Sequence, residues 1–343
     1  MEELLDFLTD LFLGQPIWMW LTFAGLVVAL LAFDLGVFHR HTRAIGVRES
    51  LLLSGFYITL GLAFGGFVWW QLGAESGVQY LTGFVVEKTL ALDNIFVIAL
   101  IFATLAIPKE YQHRVLFWGI LGVVILRGIM IGVGATLVSE FEWVLYIFAA
   151  FLVFTGIRML LAKEKEATAE EGRLMKLLRR RLPVTKELHG AKFFVRLPTP
   201  SGRLKTFVTP LLLALVAIEF ADVLFAVDSV PAIFAITTDP YLVYTSNIFA
   251  ILGLRALYFA LAAILHRFAY LKPALAILLI FIGAKVFAAD VLGLEKFPAE
   301  ISLAVTFVIL AGGIVVSLWK TRSGGPDGGA HRTPRALPAE RSQ

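Results

Sequence analysis

Acidic side chains lie inside two of the most apolar stretches of this 343-residue chain. One stretch carries Glu219, Asp222 and Asp228, and the other carries Glu87 and Asp93. A carboxylate in lipid costs roughly 2.5–3.5 kcal/mol on insertion scales, so such residues persist where a cation compensates them. Carboxylates joined by amide and hydroxyl oxygens suit hard cations such as Mn²⁺, Mg²⁺ or Ca²⁺. The pattern therefore predicts a site for a hard divalent cation inside a membrane.

The residues around these acids support the same chemistry. Each second aspartate is followed by a small polar residue, Asn94 in one stretch and Ser229 in the other. Internal pairing of the six acids and four bases found in apolar segments leaves a net charge of about −2, which suits one divalent cation. These ten residues are Asp34, Glu87, Lys88, Asp93, Arg127, Glu219, Asp222, Asp228, Arg255 and Lys285.

Other readings of the same residues stay open. Arginine can orient carboxylates without touching a substrate, so a structural role remains for Arg127 and Arg255. Protons are an alternative cargo, because buried carboxylates also form proton relays. An intramembrane aspartyl hydrolase needs two aspartates that share a proton, whereas nearby bases match these acids, and we expect no enzyme. The residues expected to tune or gate the site are Asp34, Lys88, Arg127, Glu219 and Arg255.

Helix geometry raises a difficulty for this site. Residues six apart on an unbroken helix point about 120° from one another, so Glu87 would align with Asn94 rather than with Asp93. Pro231 lacks a backbone N–H and is predicted to free the carbonyl of Val227 and to interrupt the helix beside Asp228.

Composition indicates the elements that position these residues. Hydrophobic residues make up 59% of the chain and charged residues only 16%, against roughly 25% in soluble domains. There is no cysteine, and all six histidines fall in loops or the tail, so thiol chemistry and a soft-metal site are not expected. We expect an all-α membrane protein with nine spans, at 17–38, 51–70, 79–106, 115–138, 142–161, 207–238, 242–265, 273–290 and 299–319.

Loop charges predict the orientation of these spans. Loops after the odd-numbered spans carry basic residues such as Arg40 and Arg114, whereas loops after the even-numbered spans carry acids such as Glu75 and Glu140. This alternation places the N-terminus outside and the C-terminus in the cytoplasm. The net charge of +4 is concentrated in loops, so it indicates topology and not nucleic-acid binding. The basic loop 163–206 is expected to include a short hairpin.

Spans three to five resemble spans six to eight. Glu87 with Asp93 aligns with Asp222 and Asp228, and Arg127 aligns with Arg255. A unit of three spans must re-enter the membrane upside down, so the repeat is predicted to be inverted. The predicted organisation is a two-helix segment (1–78), a first repeat (79–162), a cytoplasmic loop (163–206), a second repeat (207–293), a last span (294–320) and a disordered tail (321–343).

The two acidic motifs resemble those of the TerC integral membrane proteins, within the LysE-type transporter superfamily. The similarity rests on residues 87–94, residues 222–236 and the motif 34–38, and it extends over about 17–320. It implies a multi-pass protein of a bacterial inner membrane that is linked to Mn²⁺ efflux, to metal supply for exported enzymes and, in some members, to tellurite resistance. Metal contact is implied for Glu87, Asp93, Asn94, Asp222, Asp228 and Ser229, with Asp34 as a further candidate.

These observations lead to two functional hypotheses. The first is a secondary transporter that exports a hard divalent cation, with Mn²⁺ as the first candidate, by rocking one repeat against the other. Protons are the simplest coupling ion, and no resident cofactor is expected. The alternative is a membrane factor that assists the insertion or metal loading of exported proteins, with the loop 163–206 binding a partner.

Overall fold

A computed structural model describes residues 2–38, 47–141, 143–161, 183–185, 187–198, 203–261, 271–294 and 297–323. Its helices are α1 (Glu2–Thr9), α2 (Ile17–Phe38), α3 (Val47–Leu72), α4 (Ala74–Thr104), α5 (Lys109–Glu140), α6 (Trp143–Leu161), α7 (Pro210–Phe234), α8 (Pro240–Ile251), α9 (Leu254–Leu261), α10 (Leu271–Val291) and α11 (Ala299–Ser323). Its strands are β1 (Leu11–Phe12), β2 (Gln15–Pro16), β3 (Phe194–Pro198) and β4 (Leu204–Val208).

The expectation of an all-α membrane protein is confirmed. Within the described ranges, eight segments are long and apolar enough to cross a membrane: α2, α3, α5, α6, α7, the pair α8–α9, α10 and α11. The predicted count was nine, and the difference is α4. This helix has 31 residues, but Glu87, Lys88 and Asp93 near its middle make it too polar to qualify by composition.

Helix α4 lies inside the bundle, where its charges meet other helices. It packs against α3, α7, α8 and α11, and α5 packs against α7. The most extensive pairing joins α6 to α10 through small residues. A Cβ added to Gly156 would lie 2.6 Å from the carbonyl oxygen of Ala276, and Gly283 packs in the same way on the carbonyl of Ala149. A glycine of each helix thus packs on the backbone of the other helix. The inverted repeat stays a prediction.

The helix interruption occurs in a different span from the predicted one. Helix α7 continues through Pro231 and ends at Phe234, so the expected break beside Asp228 is not there. The seventh predicted span is instead divided into α8 and α9 by Gly253, whose φ is +82°. The break falls at Gly253 because glycine adopts a positive φ without strain. Pro231 lies only three residues before the end of α7, so the helix has few hydrogen bonds left for it to disrupt.

A small β-hairpin lies at the start of α7, as the sequence predicts. Strands β3 and β4 pair antiparallel from Phe194 opposite Val208 to Pro198 opposite Leu204. The amide of Thr209 donates to the carbonyl of Phe193 at 3.0 Å, which ties the hairpin to the first turn of α7. The rest of the predicted cytoplasmic loop (162–182), the loop 39–46 and the tail beyond 323 lie outside the described residues.

Replacing Gly253 with alanine is expected to destabilise the protein by about 1–3 kcal/mol, because a positive φ strains residues with a Cβ. The added Cβ would also lie 2.6 Å from Cβ of Tyr57. The measurement is the thermal aggregation midpoint of the detergent-solubilised protein. Gly66→Ala is the matched control, because that helical position has nothing within 4 Å of an added Cβ. Equal midpoints for the two variants would contradict the role of Gly253.

Candidate functional site

Arg127 of α5 lies at the centre of a buried cluster of charged side chains. Its guanidinium forms an ion pair with Glu87 of α4 through Nη1. The opposite edge binds Asp222 of α7 at two points, with Nε 3.3 Å from Oδ2 and Nη2 3.1 Å from Oδ1. The exposed fraction is 1% for Arg127, 0% for Glu87 and 5% for Asp222. One guanidinium thus connects the two acidic stretches that the sequence singles out.

Three neutral side chains complete the cluster. Ser229 accepts a hydrogen bond from Nη1 of Arg127 at 2.9 Å, and Asn94 donates to Oδ1 of Asp222 at 3.1 Å. The side-chain oxygen of Asn247 in α8 lies 3.4 Å from the same Nη1. The sequence analysis missed Asn247. Its signal is the polar run of residues 245–247 inside an otherwise apolar span.

Helical periodicity explains which predicted residues meet. Residues seven apart lie about 20° apart around a helix, so Glu87 shares a face with Asn94, and Asp222 shares a face with Ser229. Both pairs reach the cluster, as the helix geometry of the sequence indicates. Asp228 lies on a different face of α7.

The structure separates Asp228 from the site in which the sequence analysis placed it. Its half-buried carboxylate accepts a hydrogen bond from Thr155 and lies near Arg158, both on α6. The reason is the unbroken course of α7, which turns residue 228 away from residue 222. The side chain of Asp93 lies outside the described part of the structure. Metal contact by Asp93 and Asp228 stays a prediction.

The cluster has more negative than positive charge and retains unused polar atoms. Two carboxylates face one guanidinium, so one negative charge is in excess if all three are ionised. Within the described residues, Oε2 of Glu87 and Nδ2 of Asn247 are buried without a hydrogen-bond partner. Buried polar atoms are rarely left unsatisfied, so these two atoms indicate a place where a ligand or water binds.

Glu219 lies one helical turn before Asp222 and faces α5. Its carboxylate packs directly against Gly122, because a Cβ added to that glycine would overlap Oε1 of Glu219. Its Oε2 is buried without a partner among the described residues. This placement next to the cluster fits the predicted gating role, which stays a prediction.

The remaining predicted residues hold the helix break in place. Lys88 donates to the carbonyl oxygens of Ala250 at 2.8 Å and Leu252 at 3.3 Å, at the C-terminal end of α8. A positive charge there satisfies free carbonyls and complements the helix dipole. Arg255 pairs with Asp34 of α2, which also accepts a hydrogen bond from Tyr57 at 3.4 Å. Arg255 therefore binds a different acid from the two that Arg127 bridges.

In this arrangement the guanidinium occupies the space between the acids. No group of three Asp, Glu, His or Cys side chains with metal-binding geometry occurs in the described ranges. Withdrawal of Arg127 would leave two carboxylates with the hydroxyl oxygen of Ser229 and the amide oxygen of Asn247 around one space. Oxygen donors of these types suit hard divalent cations.

These features define a multi-pass, α-helical integral membrane protein with an ionised cluster buried among its helices. The chain belongs to the TerC family, since the family described as "Integral membrane protein TerC family" matches residues 72–324. The resemblance drawn from the acidic motifs is thereby confirmed.

Close relatives cover almost the whole chain. The "Uncharacterized membrane protein STKORF319" of Myxococcus xanthus is 48% identical over 309 residues, which are 90% of this chain and 94% of the relative. The "Putative membrane-bound redox modulator Alx" of Escherichia coli strain K12 is 43% identical over 315 residues, covering 89% and 95%. An "Uncharacterized membrane protein" of Rickettsia bellii is 47% identical over 299 residues, covering 87% and 96%. No solved structure matches the chain significantly.

Arg127→Met is expected to lower the stability of the protein by about 3–5 kcal/mol, because it leaves two buried carboxylates without their counter-ion. Adding Glu87→Gln and Asp222→Asn to Arg127→Met removes those charges and should recover most of the lost stability. The measurement is the thermal aggregation midpoint in detergent, with Arg196→Met on the exposed face of β3 as control. A midpoint for Arg127→Met equal to that of the control would show that the cluster contributes little to stability.

Proposed function

We propose that the protein is a secondary transporter that exports a hard divalent cation, with Mn²⁺ as the first candidate, across a bacterial inner membrane. The observation that carries the proposal is the pair Glu87 and Asp222, fully buried and bridged by Arg127 near the middle of three helices. Acids in such a place are costly and mark ion pathways in membrane proteins. The membership in the TerC family is consistent with this role but does not identify the cargo.

The chemistry of the donors selects the class of cargo. The cluster contains carboxylate, amide and hydroxyl oxygens, and the chain has no cysteine. Such a set favours Mn²⁺, Mg²⁺ or Ca²⁺ over Cu⁺ or Zn²⁺, which prefer sulfur or imidazole. Mn²⁺ is preferred among the hard cations by the resemblance of the motifs, with metal homeostasis and tellurite resistance as the expected phenotypes.

Arg127 would act as an internal counter-ion that alternates with the cargo. The guanidinium of Arg127 pairs with both acids and neutralises one of their two negative charges. When the guanidinium withdraws, the two carboxylates match the charge of one dication. Export against a gradient needs a coupling ion, and protons that bind the vacated carboxylates are the simplest choice. The protein would perform no chemical conversion and hold no resident cofactor.

The name of the Escherichia coli relative, a putative redox modulator, suggests a further role. This chain contains no cysteine, so exchange of disulfides is not open to it. A redox effect would have to arise through the metal that it moves. The alternative role, a membrane factor for insertion or metal loading, relies on a partner-binding loop. In the described part of that loop, Val184, Leu188 and Phe193 before the β-hairpin pack on the helices.

Glu87→Gln and Asp222→Asn should each reduce Mn²⁺ efflux from loaded proteoliposomes by at least about tenfold, because each removes one of two charged ligands. Glu140→Gln, an exposed acid at the end of α5, is the control and should retain wild-type flux. The same assay applied to Asp93→Asn and Asp228→Asn tests their predicted metal contact.

Equal Mn²⁺ fluxes for wild type, Glu87→Gln and Asp222→Asn would remove the proposal that this cluster is the transport site. Deletion of the hairpin that abolishes a cellular phenotype, with no metal flux by the wild-type protein, would favour the membrane factor instead. The growth of an efflux-deficient host at raised Mn²⁺ concentration, measured for each variant, tests whether the flux in proteoliposomes accounts for the effect in cells.

A further inference from the structure

A cavity of about 1690 Å³ opens at one end of the helix bundle. Its wall includes the first turns of α4, with Glu75, Gln79 and Thr82, together with the second half of α5. Gly128, which follows Arg127 in α5, lines the cavity, whereas none of the side chains of the charged cluster does, so the cavity ends beside the cluster without exposing it. The predicted topology places every helix end around this cavity on the outer side.

The opposite end of the same helices is closed by apolar packing. The second half of α4, the first turns of α5 and α7, and α9 form one cluster of buried side chains, which we call the apolar seal. Its members include Ile98 of α4, Leu116 of α5, Ala217 of α7 and Leu254 of α9. Each of these four side chains is at most 5% exposed. Interiors of this kind pack too densely to leave a path for a hydrated ion.

The β-hairpin and the residues just before it (183–185, 187–198 and 203–208) cover the apolar seal. Val184, Leu188 and Phe193 pack against the seal from outside. The guanidinium of Arg114 lies over the ring of Phe193, 5.2 Å from its centre, which is within the range of a cation–π contact. The neighbouring Phe194 is 58% exposed and points away. Phe193, the residue just before β3, therefore holds this region to the helices, while its neighbour Phe194 in β3 does not.

We infer that the cavity is the passage between the charged cluster and one side of the membrane, and that the hairpin closes the passage to the other side. The inference rests on the proposed transport function for the identity of the cargo. The state in the structure is open at the cavity and sealed at the hairpin. Transport in the opposite half of the cycle requires the hairpin to lift from the seal while the cavity narrows. Glu75, Asp290 and Glu300 line the cavity together with one base, Lys285, so acids outnumber bases along it, which suits the passage of cations.

Two matched positions report the access on each side of the cluster. Thr82 lies five residues before Glu87 and lines the cavity, whereas Ala217 lies five residues before Asp222 and belongs to the seal. Both side chains are buried, with exposed fractions of 1% and 0%. The chain has no native cysteine, so Thr82→Cys and Ala217→Cys each introduce a single thiol.

The first experiment measures the rate at which a charged methanethiosulfonate reagent labels each single-cysteine protein, purified in detergent. Thr82→Cys should react at least about tenfold faster than Ala217→Cys, because a thiol in the cavity wall needs only a local side-chain movement to meet the reagent, whereas one in the seal needs the helices to separate. Thr237→Cys and Ala214→Cys repeat the comparison at a second cavity position and a second seal position. Equal rates, or faster labelling in the seal, would overturn the inference.

The second experiment tests the hairpin itself. Phe193→Ala, added to Ala217→Cys, should raise labelling about tenfold by weakening the contact that holds the seal closed. Phe194→Ala is the matched control and should leave the rate unchanged, while Leu188→Ala provides a second variant if Phe193→Ala fails to fold. An equal rate for the Phe193, Leu188 and Phe194 variants would remove the hairpin as the closing element.

Labelling requires no transported ion, so it separates this inference from the transport function. If the cavity positions are labelled faster than the seal positions but no Mn²⁺ flux is measured, the proposed transport of Mn²⁺ is contradicted and the inferred passage is supported. If Mn²⁺ flux is measured but the cavity and seal positions are labelled at equal rates, the transport function is supported and the inferred passage is contradicted.

Discussion

The bridge from Arg127 to Glu87 and Asp222 is the interaction on which the rest of the structure depends. Two carboxylates in one buried space repel each other and lose their hydration, and each would be unfavourable by several kcal/mol alone. A guanidinium reduces both penalties because its planar fork binds one acid at each edge. The bridge also constrains the fold, since α4, α5 and α7 must approach closely enough for a single side chain to reach both acids. Removing Arg127 would leave both carboxylates without an ion-pair partner among the described residues.

A second set of charges stabilises the irregular backbone beside that bridge. The break between α8 and α9 leaves carbonyl groups without helical partners, and Lys88 satisfies two of them. Arg255, just past the break, is anchored by Asp34 of α2. Lys88 follows Glu87 in the chain, so one turn of α4 serves both the cluster and the break. A movement of α8 relative to α9 would therefore displace Lys88 and with it Glu87, because neighbouring residues of a rigid helix move together.

The sequence alone predicts the parts of this arrangement that follow from local periodicity. Apolar runs predict the helices, and the seven-residue spacing predicts that Asn94 accompanies Glu87 and that Ser229 accompanies Asp222. Partners from distant parts of the chain are not encoded in such spacing. Alignment of the repeats paired Arg255 with Arg127, yet Arg255 binds Asp34, because α2 lies beside α9 in space. The break was expected at a proline and occurs at a glycine, where a positive φ and the close approach of a tyrosine from α3 act together.

In the transporter proposed above, Arg127 would compete with the cargo for the two carboxylates, and this competition would make release of the cargo possible. A bare pair of buried carboxylates would hold a dication so tightly that transport would stall after loading. A tethered guanidinium competes for the same carboxylates, and the apparent affinity for cargo falls by the fraction of time that the site is free. In the empty carrier, Arg127 would neutralise one of the two carboxylate charges, so the carrier could return with one excess negative charge in its low-dielectric interior instead of two. The remaining negative charge would favour a site that holds a cation, either the cargo or a proton, over an empty one, as the proposed exchange of cargo for protons requires.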